Sequence, residues 1–407
     1  MAERTTCVIA GGGPAGMVLG LLLARAGIDV QVLEKHADFL RDFRGDTVHP
    51  STMDLLDELG LGERFAALPR SELTEIAFPT GPNDQVVVGD LRRLRVRHPY
   101  IAITPQWDLL TLLAQAAEEE PTFTLRMRTE VTGLSREAGR VRGVRYRTED
   151  GTTGEILADL TVACDGRHST VRREAGLRPR EFPVPIDAWW FRLPRDPNDE
   201  TSTLTPRMHN RRFAIVIPRE GYYQIAYIAK KGEDTALRAA GIERFRDEVA
   251  AVLPSLADRV DALTSMDDVK HLDIRLNRLR RWHAEGLLCL GDAAHAMSPI
   301  GGVGINLAVQ DAVAAATLLA EPLRRGAVDA RALGRVRVRR LPPTAVVQRL
   351  QRILHRLVAE PVVEGRREGP PAPMVALLRR LPWLSIVPAY LIGVGIRPEH
   401  APEFARR

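Results

Sequence analysis

Apolar residues recur along this chain in two patterns, and each pattern predicts a different kind of sheet. Continuous apolar runs at residues 7–10 and 287–290 predict strands buried on both faces, and a further strand is predicted at 29–33. Helical spacing of apolar positions follows the first and last of these runs, so strands and helices alternate there. Between residues 178 and 270 apolar and polar positions alternate along the chain instead, which predicts antiparallel strands and hairpins.

Turn signals and helical spacing divide the chain further. We predict helices at residues 51–59 and 105–118, and strands at 123–128, 130–134, 141–146 and 156–164. Residues 77–98 lose the alternation of strands and helices and are assigned to the antiparallel unit. The predicted units are a discontinuous α/β domain (1–76, 99–181 and 270–340), an inserted β domain (77–98 and 182–269) and a C-terminal helical segment (341–407).

A glycine-rich turn, GGGPAG at residues 11–16, joins the first predicted strand to the first helix. This is the G-x-G-x-x-G pattern in the context it requires: Gly11 makes the turn, Gly13 admits a pyrophosphate, and Gly16 lets the helix approach the strand. Glu34 lies 18 residues beyond Gly16, at the end of the second strand, where an acidic side chain can bind a ribose. The pattern predicts an adenine dinucleotide but does not separate NAD from FAD.

The apolar run at residues 287–290 ends in a comparable junction. Gly291 allows a tight turn, and Asp292 follows at the carboxyl end of the strand, where ligands of open α/β sheets bind. A glycine-rich bend at 301–304 leads into a helix that begins near Asn306. The carboxylate can accept hydrogen bonds from a chain of hydroxyls, and N–H groups of the helix start can face an electron-rich ring. A plain strand-to-helix connection with a capping aspartate would show the same residues.

Three further residues are candidates for this site. Asp165 follows the strand at 156–164 and is the second residue of CDGRHS at 164–169. This stretch repeats the order of strand, acid and glycine, but it is also typical of a capped turn. Arg44 lies in the loop after the second strand, where it can face a phosphate or be a surface residue of an arginine-rich chain. Gln106 lies in the first turn of the helix at 105–118.

The three junctions follow one another as GGGPAG with Glu34, then CDGRHS, then GDAAHAMSPIGGVGIN. In this order they resemble those of the FAD-dependent aromatic-ring hydroxylases, the single-component flavoprotein monooxygenases of the p-hydroxybenzoate hydroxylase fold, over residues 1–320. The resemblance implies an α/β fold: a Rossmann-like FAD-binding domain, an inserted, mostly antiparallel β-sheet substrate domain and a C-terminal helical segment. It also implies FAD as cofactor and NAD(P)H as co-substrate. A second dinucleotide fingerprint for the nicotinamide cofactor is missing.

The resemblance further implies a role for each matched position. The glycines of the first motif would lie at the pyrophosphate, Glu34 at the adenosine ribose and Asp292 at the ribityl chain. Arg44 and Gln106 would lie near the FAD phosphates, and the segment 299–306 beside the flavin ring. The implied cofactor-binding residues are Gly11, Gly13, Pro14, Ala15, Gly16, Glu34, Lys35, Arg44, Gln106, Val131, Asp165, Gly291, Asp292, Pro299, Gly304, Ile305 and Asn306.

The inserted β domain is rich in aromatic residues. Phe213, Ile215 and Ile217 share one side of a predicted strand, and Tyr223 and Tyr227 lie on the next one, which predicts a hairpin with a turn at 218–221. Trp189, Trp190 and Phe191 precede this hairpin. Such a sheet could cover a flavin and hold a flat substrate, and its aromatic residues fit an ordinary sheet core equally well.

The reaction implied by the resemblance is a monooxygenation. NAD(P)H would reduce FAD, O₂ would add to the reduced ring, and the flavin hydroperoxide would hydroxylate an aromatic or polyketide-like small molecule. His49, His209 and His295 are candidates for a general base, but each fits a structural role, so we name no catalytic residue. Two alternatives stay open: an FAD-dependent reductase or dehydrogenase of an isoprenoid-like substrate, and an FAD-holding sensor without turnover.

Composition narrows the cellular context. The 407 residues are 45% hydrophobic and 27% charged, and the chain runs directly into a strand, so we expect a cytoplasmic protein without a signal peptide. Cys7, Cys164 and Cys289 lie in apolar runs, which favours packing over disulfides, and no metal-ligand spacing occurs. We expect no metal and no nucleic-acid partner.

The C-terminal segment carries most of the positive charge. Residues 324–407 contain 17 arginines and 6 acidic residues, whereas the whole chain has a net charge of +5. Apolar residues at helical spacing in 346–358, opposite Gln348, Gln351 and several arginines, predict an amphipathic helix. Its apolar side could close the core or a dimer interface, or face an anionic membrane surface or an acidic carrier protein. The charge-free run at 381–396 is too short and too rich in proline and glycine to span a membrane. The oligomeric state stays open.

Overall fold

A computed structural model describes residues 3–40, 47–81, 84–196, 198–199, 206–219, 221–367 and 369–407. The strands are β1 (Glu3–Ala10), β2 (Val30–Leu33), β3 (Thr47–Val48), β4 (Ser71–Leu73), β5 (Glu75–Gly81), β6 (Asp84–Asp90), β7 (Ile101–Ile103), β8 (Phe123–Arg126), β9 (Thr129–Glu137), β10 (Arg140–Thr148), β11 (Thr153–Ala163), β12 (Pro179–Phe182), β13 (Ile186–Pro194), β14 (Pro206–His209), β15 (Arg212–Pro218), β16 (Tyr222–Lys230), β17 (Lys270–Leu272), β18 (Leu276–Leu279), β19 (His283–Ala284) and β20 (Leu287–Cys289). The α-helices are α1 (Pro14–Arg25), α2 (Pro50–Glu58), α3 (Gly62–Ala66), α4 (Gln106–Glu118), α5 (Thr170–Glu174), α6 (Asp234–Val252), α7 (Gly304–Arg324), α8 (Ala330–Leu354), α9 (Glu360–Val363), α10 (Ala372–Arg380) and α11 (Ile386–Gly393).

A mostly parallel sheet forms the centre of the α/β unit. Its order is β19-β20-β11-β1-β2-β8, and β20, β11, β1, β2 and β8 run parallel to their neighbours. β10 joins β11 from the other direction and pairs with β9. The apolar runs of β1, β2 and β20 are buried because helices cover this sheet, as the pattern of the sequence predicts. A parallel sheet places the carboxyl ends of β1, β2, β11 and β20 along one edge.

The second unit is an antiparallel sheet in the order β14-β15-β16-β13-β17. The predicted hairpin is present, because β15 and β16 pair antiparallel with Ala214 opposite Tyr227. Together with the parallel sheet and the C-terminal helices, this sheet confirms the predicted fold class. The residue limits of the domains stay a prediction.

The aromatic side chains of the antiparallel sheet divide between its two faces. Trp189, Phe191, Tyr223 and Tyr227 are buried in one apolar cluster with α6, so they form sheet core and cannot cover a flavin. Trp190 lies on the opposite face, which packs against the segment 297–303. The alternation of side chains along β13 explains the division, since residues 189 and 190 must point to opposite faces.

Helix α8 and the π-helical turn His355–Ala359 that follows it form the predicted amphipathic helix, and its glutamine side faces the interior. Gln348, Gln351 and His355 are buried, whereas Val346, Ile353 and Leu357 are 45%, 43% and 51% exposed. The polar side chains turn inward because an irregular loop beneath them has backbone groups that need hydrogen-bond partners. Helical spacing places these glutamines opposite the apolar residues but leaves open which side meets the core, and the structure buries the glutamines.

The last helices lie across the β5–β6 hairpin. In α11, Ala389 is buried and Gly393 lies against Leu91 and Leu94, while the outer side of α10 and α11 stays exposed. Among the residues the structure describes, no single helix is long and apolar enough to cross a membrane. The pair Ala372–Arg380 and Pro382–Gly393 meets that requirement only jointly, and it is bent by 110°.

Candidate active site

Four turns that are distant in sequence meet at the carboxyl edge of the parallel sheet. Gly11 follows β1, Glu34 follows β2, Asp165 follows β11 and Asp292 follows β20, and these four strands are neighbours in the sheet. The site is therefore built where the fold class predicts a ligand.

Of the three glycines of the G-x-G-x-x-G pattern, Gly11 and Gly16 are required by the packing of the fold, whereas Gly13 is not. Gly11 has φ of 103°, and a Cβ on it would lie 2.5 Å from the carbonyl oxygen of Cys164. A Cβ on Gly16 would lie 2.0 Å from the carbonyl oxygen of Gly11, so only glycine lets α1 approach the turn. A Cβ on Gly13, the residue before α1, would meet nothing within 4 Å. Open space therefore remains in front of Gly13, at the N-terminus of α1.

Glu34 organises the neighbouring turn. Its side chain is buried, and its carboxylate accepts the N–H of Gly12 at 2.9 Å. Its backbone carbonyl accepts the N–H of Thr129 at 2.8 Å, which sets the start of β9 beside it. Val131, two residues further along β9, is 8% exposed. Glu34 and Val131 thus come from separate elements to the same end of the site.

Asp165 holds an acceptor atom that lacks a partner. Its Oδ2 accepts the N–H of Val171 at 3.1 Å, whereas its Oδ1 is buried and has no hydrogen-bond partner in the described part of the chain. Burial raises the pKa of Asp165, although hydrogen bonds from Ser169 and the α5 backbone oppose that shift. A buried acceptor left open beside Gly11 fits a bound group that donates a hydrogen bond.

The turn after β20 opens an irregular segment, residues 291–303, that we name the 291–303 loop. Gly291 has φ of 55°, and a Cβ on it would lie 3.1 Å from that of Ala308 and 3.5 Å from that of Ala15. Asp292 is partly exposed, and its Oδ2 lies 3.5 Å from Nη2 of Arg167. Ala15 and Gly291 therefore bring the first and third motifs into contact, and Asp292 lies beside the second.

The 291–303 loop ends at the N-terminus of α7, which begins at Gly304, two residues before the predicted start. Val303 gives this terminus no side-chain cap, so the first N–H groups of the helix are open to a ligand. Asn306 is 5% exposed, and its Oδ1 accepts hydrogen bonds from Ser51 at 3.0 Å and from Thr52 at 2.8 Å. Helix α2 thereby fixes Asn306, a contact that the sequence did not predict.

The remaining predicted residues have simpler placements. Pro299 is half-buried in the loop, and Ile305 is buried in the first turn of α7. Gln106 is the first residue of α4 and is half-buried, and Lys35 is exposed. Arg44 lies outside the described residues.

Two residues that sequence reasoning missed hold the loops in place. Arg172 of α5 is 8% exposed and donates to the carbonyl oxygens of Ala293 at 3.0 Å and Arg167 at 2.7 Å, which ties the second motif to the third. Gln351 donates to the carbonyl oxygen of Ser298 at 2.8 Å and to that of Ile300 at 2.9 Å. Neither position differs in type from the surface arginines and glutamines around it, so no sequence signal marks it.

A buried ionic network lies behind the 291–303 loop. Asp311 accepts the N–H of Gly291 at 3.2 Å, faces Nε2 of His295 at 2.5 Å and accepts from Arg340 at 3.1 Å. Arg340 also donates to Glu399 at 3.3 Å. Burial opposes ionisation of Asp311, but the charges of His295 and Arg340 outweigh burial and lower its pKa. His295 is held inside this network by its contact with Asp311, which fits a structural role.

The other two histidines differ sharply in environment. His209 is exposed at the end of β14. His49 is fully buried just before α2, and neither ring nitrogen has a hydrogen-bond partner among the described residues. Burial lowers the pKa of His49 to about 4, so its ring is neutral at pH 7. Of the three candidates, only His49 combines open hydrogen-bonding atoms with a position next to Ser51, a partner of Asn306.

Opposite the 291–303 loop lies the apolar face of the antiparallel sheet. Trp190 and Ile215 pack against two apolar clusters, one containing Met297 and Val303 and the other lying under α11. Among the residues that the structure describes, Nε1 of Trp190 is buried without a partner, so this face offers an unused donor in apolar surroundings. A flat, mostly apolar molecule with one acceptor fits such a wall.

Comparison with known proteins agrees with this geometry. The model of the FAD binding domain family matches residues 4–349. The 6-methylpretetramide 4-monooxygenase of Streptomyces rimosus is 35% identical over 96% of this chain and 90% of its own length. The 12-dehydrotetracycline 5-monooxygenase/anhydrotetracycline 6-monooxygenase of Streptomyces rimosus subsp. rimosus is 30% identical over 76% of this chain, and the match spans 61% of its length.

A solved structure extends the agreement to three dimensions. The OxyS anhydrotetracycline hydroxylase from Streptomyces rimosus superposes with a TM-score of 0.75 at 27% identity, over 98% of this chain and 77% of that one. The sequence match covers the three junctions, and the structural match covers both sheets. This chain belongs to the family of FAD-dependent aromatic-ring hydroxylases and is an FAD-dependent monooxygenase.

Proposed function

We propose that the protein uses NAD(P)H and O₂ to hydroxylate a flat, mostly apolar aromatic or polyketide-like small molecule. The observation that carries this proposal is the apolar wall around Trp190, which borders the 291–303 loop and holds a buried donor without a partner among the described residues. Relatives named for pretetramide and tetracycline substrates support the same substrate class. When bound, FAD would supply the chemistry, taking a hydride from NAD(P)H and activating O₂.

The residues of this chain would hold and orient that cofactor. We assign the pyrophosphate to the open space at Gly13, the adenosine ribose to Glu34 and the ribityl chain to Asp292. The uncapped N-terminus of α7 would face the pyrimidine end of the ring, where its N–H groups favour negative charge. The open Oδ1 of Asp165 would accept a hydrogen bond from the cofactor or from the nicotinamide substrate.

The substrate would lie against the part of the wall beside Trp190 that borders the loop. Trp190 would donate a hydrogen bond from Nε1 to a carbonyl or phenol oxygen of the substrate and so fix which ring faces the flavin. The neutral ring of His49 would accept a hydrogen bond from the substrate, or donate one to it, on the side of the site formed by α2. Both side chains have buried polar atoms without partners, which is costly unless a ligand satisfies them.

The test is substrate-dependent turnover. Purified FAD-loaded protein is mixed with NADPH and a panel of phenols and polycyclic aromatic polyketides, and NADPH oxidation is followed by absorbance. We expect slow oxidation alone and faster oxidation with at least one polycyclic phenol that is converted to a hydroxylated product. Acceleration without oxygen transfer would support a reductase instead, and no acceleration by any compound would favour a sensor.

The exposed side of α10 and α11 suggests how such a substrate arrives. Trp383, Leu377 and Val387 are 58%, 49% and 49% exposed, and the only charged residues between 369 and 396 are Arg379 and Arg380. Exposed apolar residues next to a pair of arginines, here at the bend after α10, suit the interface of an anionic membrane. We propose that this pair of helices lies on such a surface, with the inner side of α11 close to the 291–303 loop at Gly301.

Vesicle flotation tests this surface. Wild-type protein should float with vesicles of phosphatidylcholine and phosphatidylglycerol at low salt, and Trp383→Ser should float less. Val338→Ser, which removes an apolar residue of α8 that is 66% exposed, is the matched control and should float like the wild type. The proposal is overturned if the wild-type protein does not float with the vesicles. It is also overturned if the surface around Trp383 binds an acidic carrier protein or is covered by a second copy of the chain in a dimer.

A further inference from the structure

Four arginines lie together beside the 291–303 loop, and we name them the arginine cluster: Arg180, Arg278, Arg337 and Arg352. Arg180 and Arg278 are directly opposite each other in the β12–β18 ribbon. The guanidinium carbons of Arg180, Arg278 and Arg352 lie 5.3, 5.7 and 4.9 Å from the centre of the Phe182 ring. Arg337 of α8 is close enough to Arg278 to act on its charge.

No carboxylate of the described residues forms an ion pair with any member of the cluster. Nε of Arg337 is buried and finds no hydrogen-bond partner within the described ranges. Burial lowers the pKa of the half-buried Arg278, and the charges of the three other arginines lower it further. Like charges directly opposite each other across two strands destabilise the pairing. The cluster therefore costs folding free energy unless something neutralises it.

The arginine-rich composition does not explain this arrangement. Arginines elsewhere in the chain commonly have partners: Arg275, on the same segment as Arg278, pairs with Asp273 at 2.8 Å, and Arg147 pairs with Glu130 at 3.0 Å. Three guanidinium groups around the Phe182 ring and a fourth beside Arg278, none of them with an ion-pair partner among the described residues, thus form a local exception. Such exceptions are typical of sites for anions, where guanidinium groups bind phosphate oxygens in pairs.

The cluster is built on the same elements that hold the 291–303 loop. Asn277 donates its N–H to the carbonyl oxygen of Ala296 at 3.1 Å, and Leu279 donates to that of Ala294 at 2.8 Å, so Arg278 lies between two loop contacts. Arg352 follows Gln351, which donates to the carbonyl oxygen of Ser298. A ligand on the cluster would therefore lie next to the loop that leads to α7.

We propose that the arginine cluster binds the phosphate groups of a nicotinamide dinucleotide that carries a 2′-phosphate. The proposal rests on the proposed function for the identity of the co-substrate. A pyrophosphate and a phosphate monoester together carry about four negative charges, which matches four guanidinium groups. The chain has no second glycine-rich fingerprint for a dinucleotide, so its phosphates need side-chain partners. The cluster would select NADPH over NADH.

Binding of a redox-inactive probe to the FAD-loaded full chain tests the cluster without turnover. Adenosine 2′,5′-bisphosphate is titrated by calorimetry into wild type, Arg278→Gln, Arg180→Gln and the control Arg147→Gln. We expect each cluster variant to lose about tenfold in affinity, since each removed guanidinium loses charge-assisted hydrogen bonds, and the control to lose none. Arg180 is exposed, so its variant keeps the test valid if Arg278→Gln does not fold.

Two further results separate this site from a merely structural patch. Without ligand, Arg278→Gln should melt at or above the wild-type temperature, because a repulsive contact has been removed. With NADPH, the cluster variants should show a raised KM and an unchanged kcat, and the KM for NADH should rise less, because NADH has the pyrophosphate but lacks the 2′-phosphate. Equal affinity for the bisphosphate in all variants, or phosphatidylglycerol vesicles that displace it from the cluster, would overturn the proposal.

The outcome also distinguishes this site from the proposed reaction. If the bisphosphate binds through the cluster but no compound stimulates NADPH oxidation, the reaction fails and the anion site stands. If NADPH supports hydroxylation with the same KM in wild type and variants, the anion site fails and the reaction stands.

Discussion

Replacing Gly13 by alanine should separate cofactor binding from folding. A Cβ at this position meets nothing within 4 Å, and φ of −75° with ψ of −177° suits alanine, so the protein without cofactor should fold as before. The same Cβ would project into the space we assign to the FAD pyrophosphate. It would hold the phosphate away from the N-terminus of α1, where hydrogen bonds to a charged group are worth about 1.5–3 kcal/mol.

That range corresponds to a loss of FAD affinity of about tenfold to a hundredfold. The assay is titration of FAD into cofactor-free protein, followed by quenching of flavin fluorescence, together with a thermal melt of each cofactor-free variant. Gly16→Ala gives the opposite result, because its Cβ would overlap the carbonyl oxygen of Gly11 at 2.0 Å, and this variant should melt at a lower temperature.

Gly89→Ala is the matched control. Its Cβ would make an ordinary contact, 3.6 Å from the backbone of Ala389 and away from the sheet edge, so neither FAD affinity nor melting temperature should change much. Wild-type FAD affinity in Gly13→Ala would refute the placement of the pyrophosphate. A large fall in its melting temperature would refute the claim that the space in front of Gly13 is open.

Three other outcomes follow from the same contacts. Asp292→Ala should bind FAD more weakly by about 1–3 kcal/mol. The control Asp258→Ala, at an aspartate whose side chain is 77% exposed, should bind FAD like the wild type. Equal FAD affinities of the two variants would remove Asp292 from the site. His49 has a pKa lowered from 6.5 to about 4, so it stabilises the fold above pH 6.5 and that stability is lost as pH falls towards 4. His49→Gln should therefore flatten the fall in the free energy of unfolding by about 3 kcal/mol in urea titrations between pH 7 and 4, and an unchanged slope would contradict the burial argument. Gln351→Leu should lower the free energy of unfolding by about 2–4 kcal/mol, since three backbone groups of the 291–303 loop lose partners, whereas the exposed Arg349→Leu should have little effect; equal melting temperatures would show that α8 does not hold the loop.

The sheet edge could be predicted because its residues are tied to local backbone chemistry. Gly11 and Gly16 have close contacts that only glycine allows, and Asp165 and Asp292 directly follow buried strands, so spacing and composition mark all four. The parallel order of the strands then brings them together without further information.

Placement of the covering elements could not be predicted, because it depends on which partner each face meets. Alternation along β13 predicts that Trp189 and Trp190 face opposite ways, but it does not tell which of them meets α6 and which meets the cofactor side. In α8 and the π-helical turn that follows it, part of the apolar stripe is exposed, since the demand of the 291–303 loop for hydrogen bonds outweighs burial of Ile353 and Leu357. A need for hydrogen bonds that arises from residues distant in the sequence leaves no periodic signal in it.

The most direct test of the reaction is the fate of molecular oxygen. FAD-loaded protein is incubated with NADPH, ¹⁸O₂ and the substrate that most accelerates NADPH oxidation, and the product is analysed by mass spectrometry. Hydroxylation by molecular oxygen predicts one labelled oxygen atom in the product, and none when the label is supplied as water. A product formed without label from O₂ would contradict hydroxylation and leave a reductase or dehydrogenase.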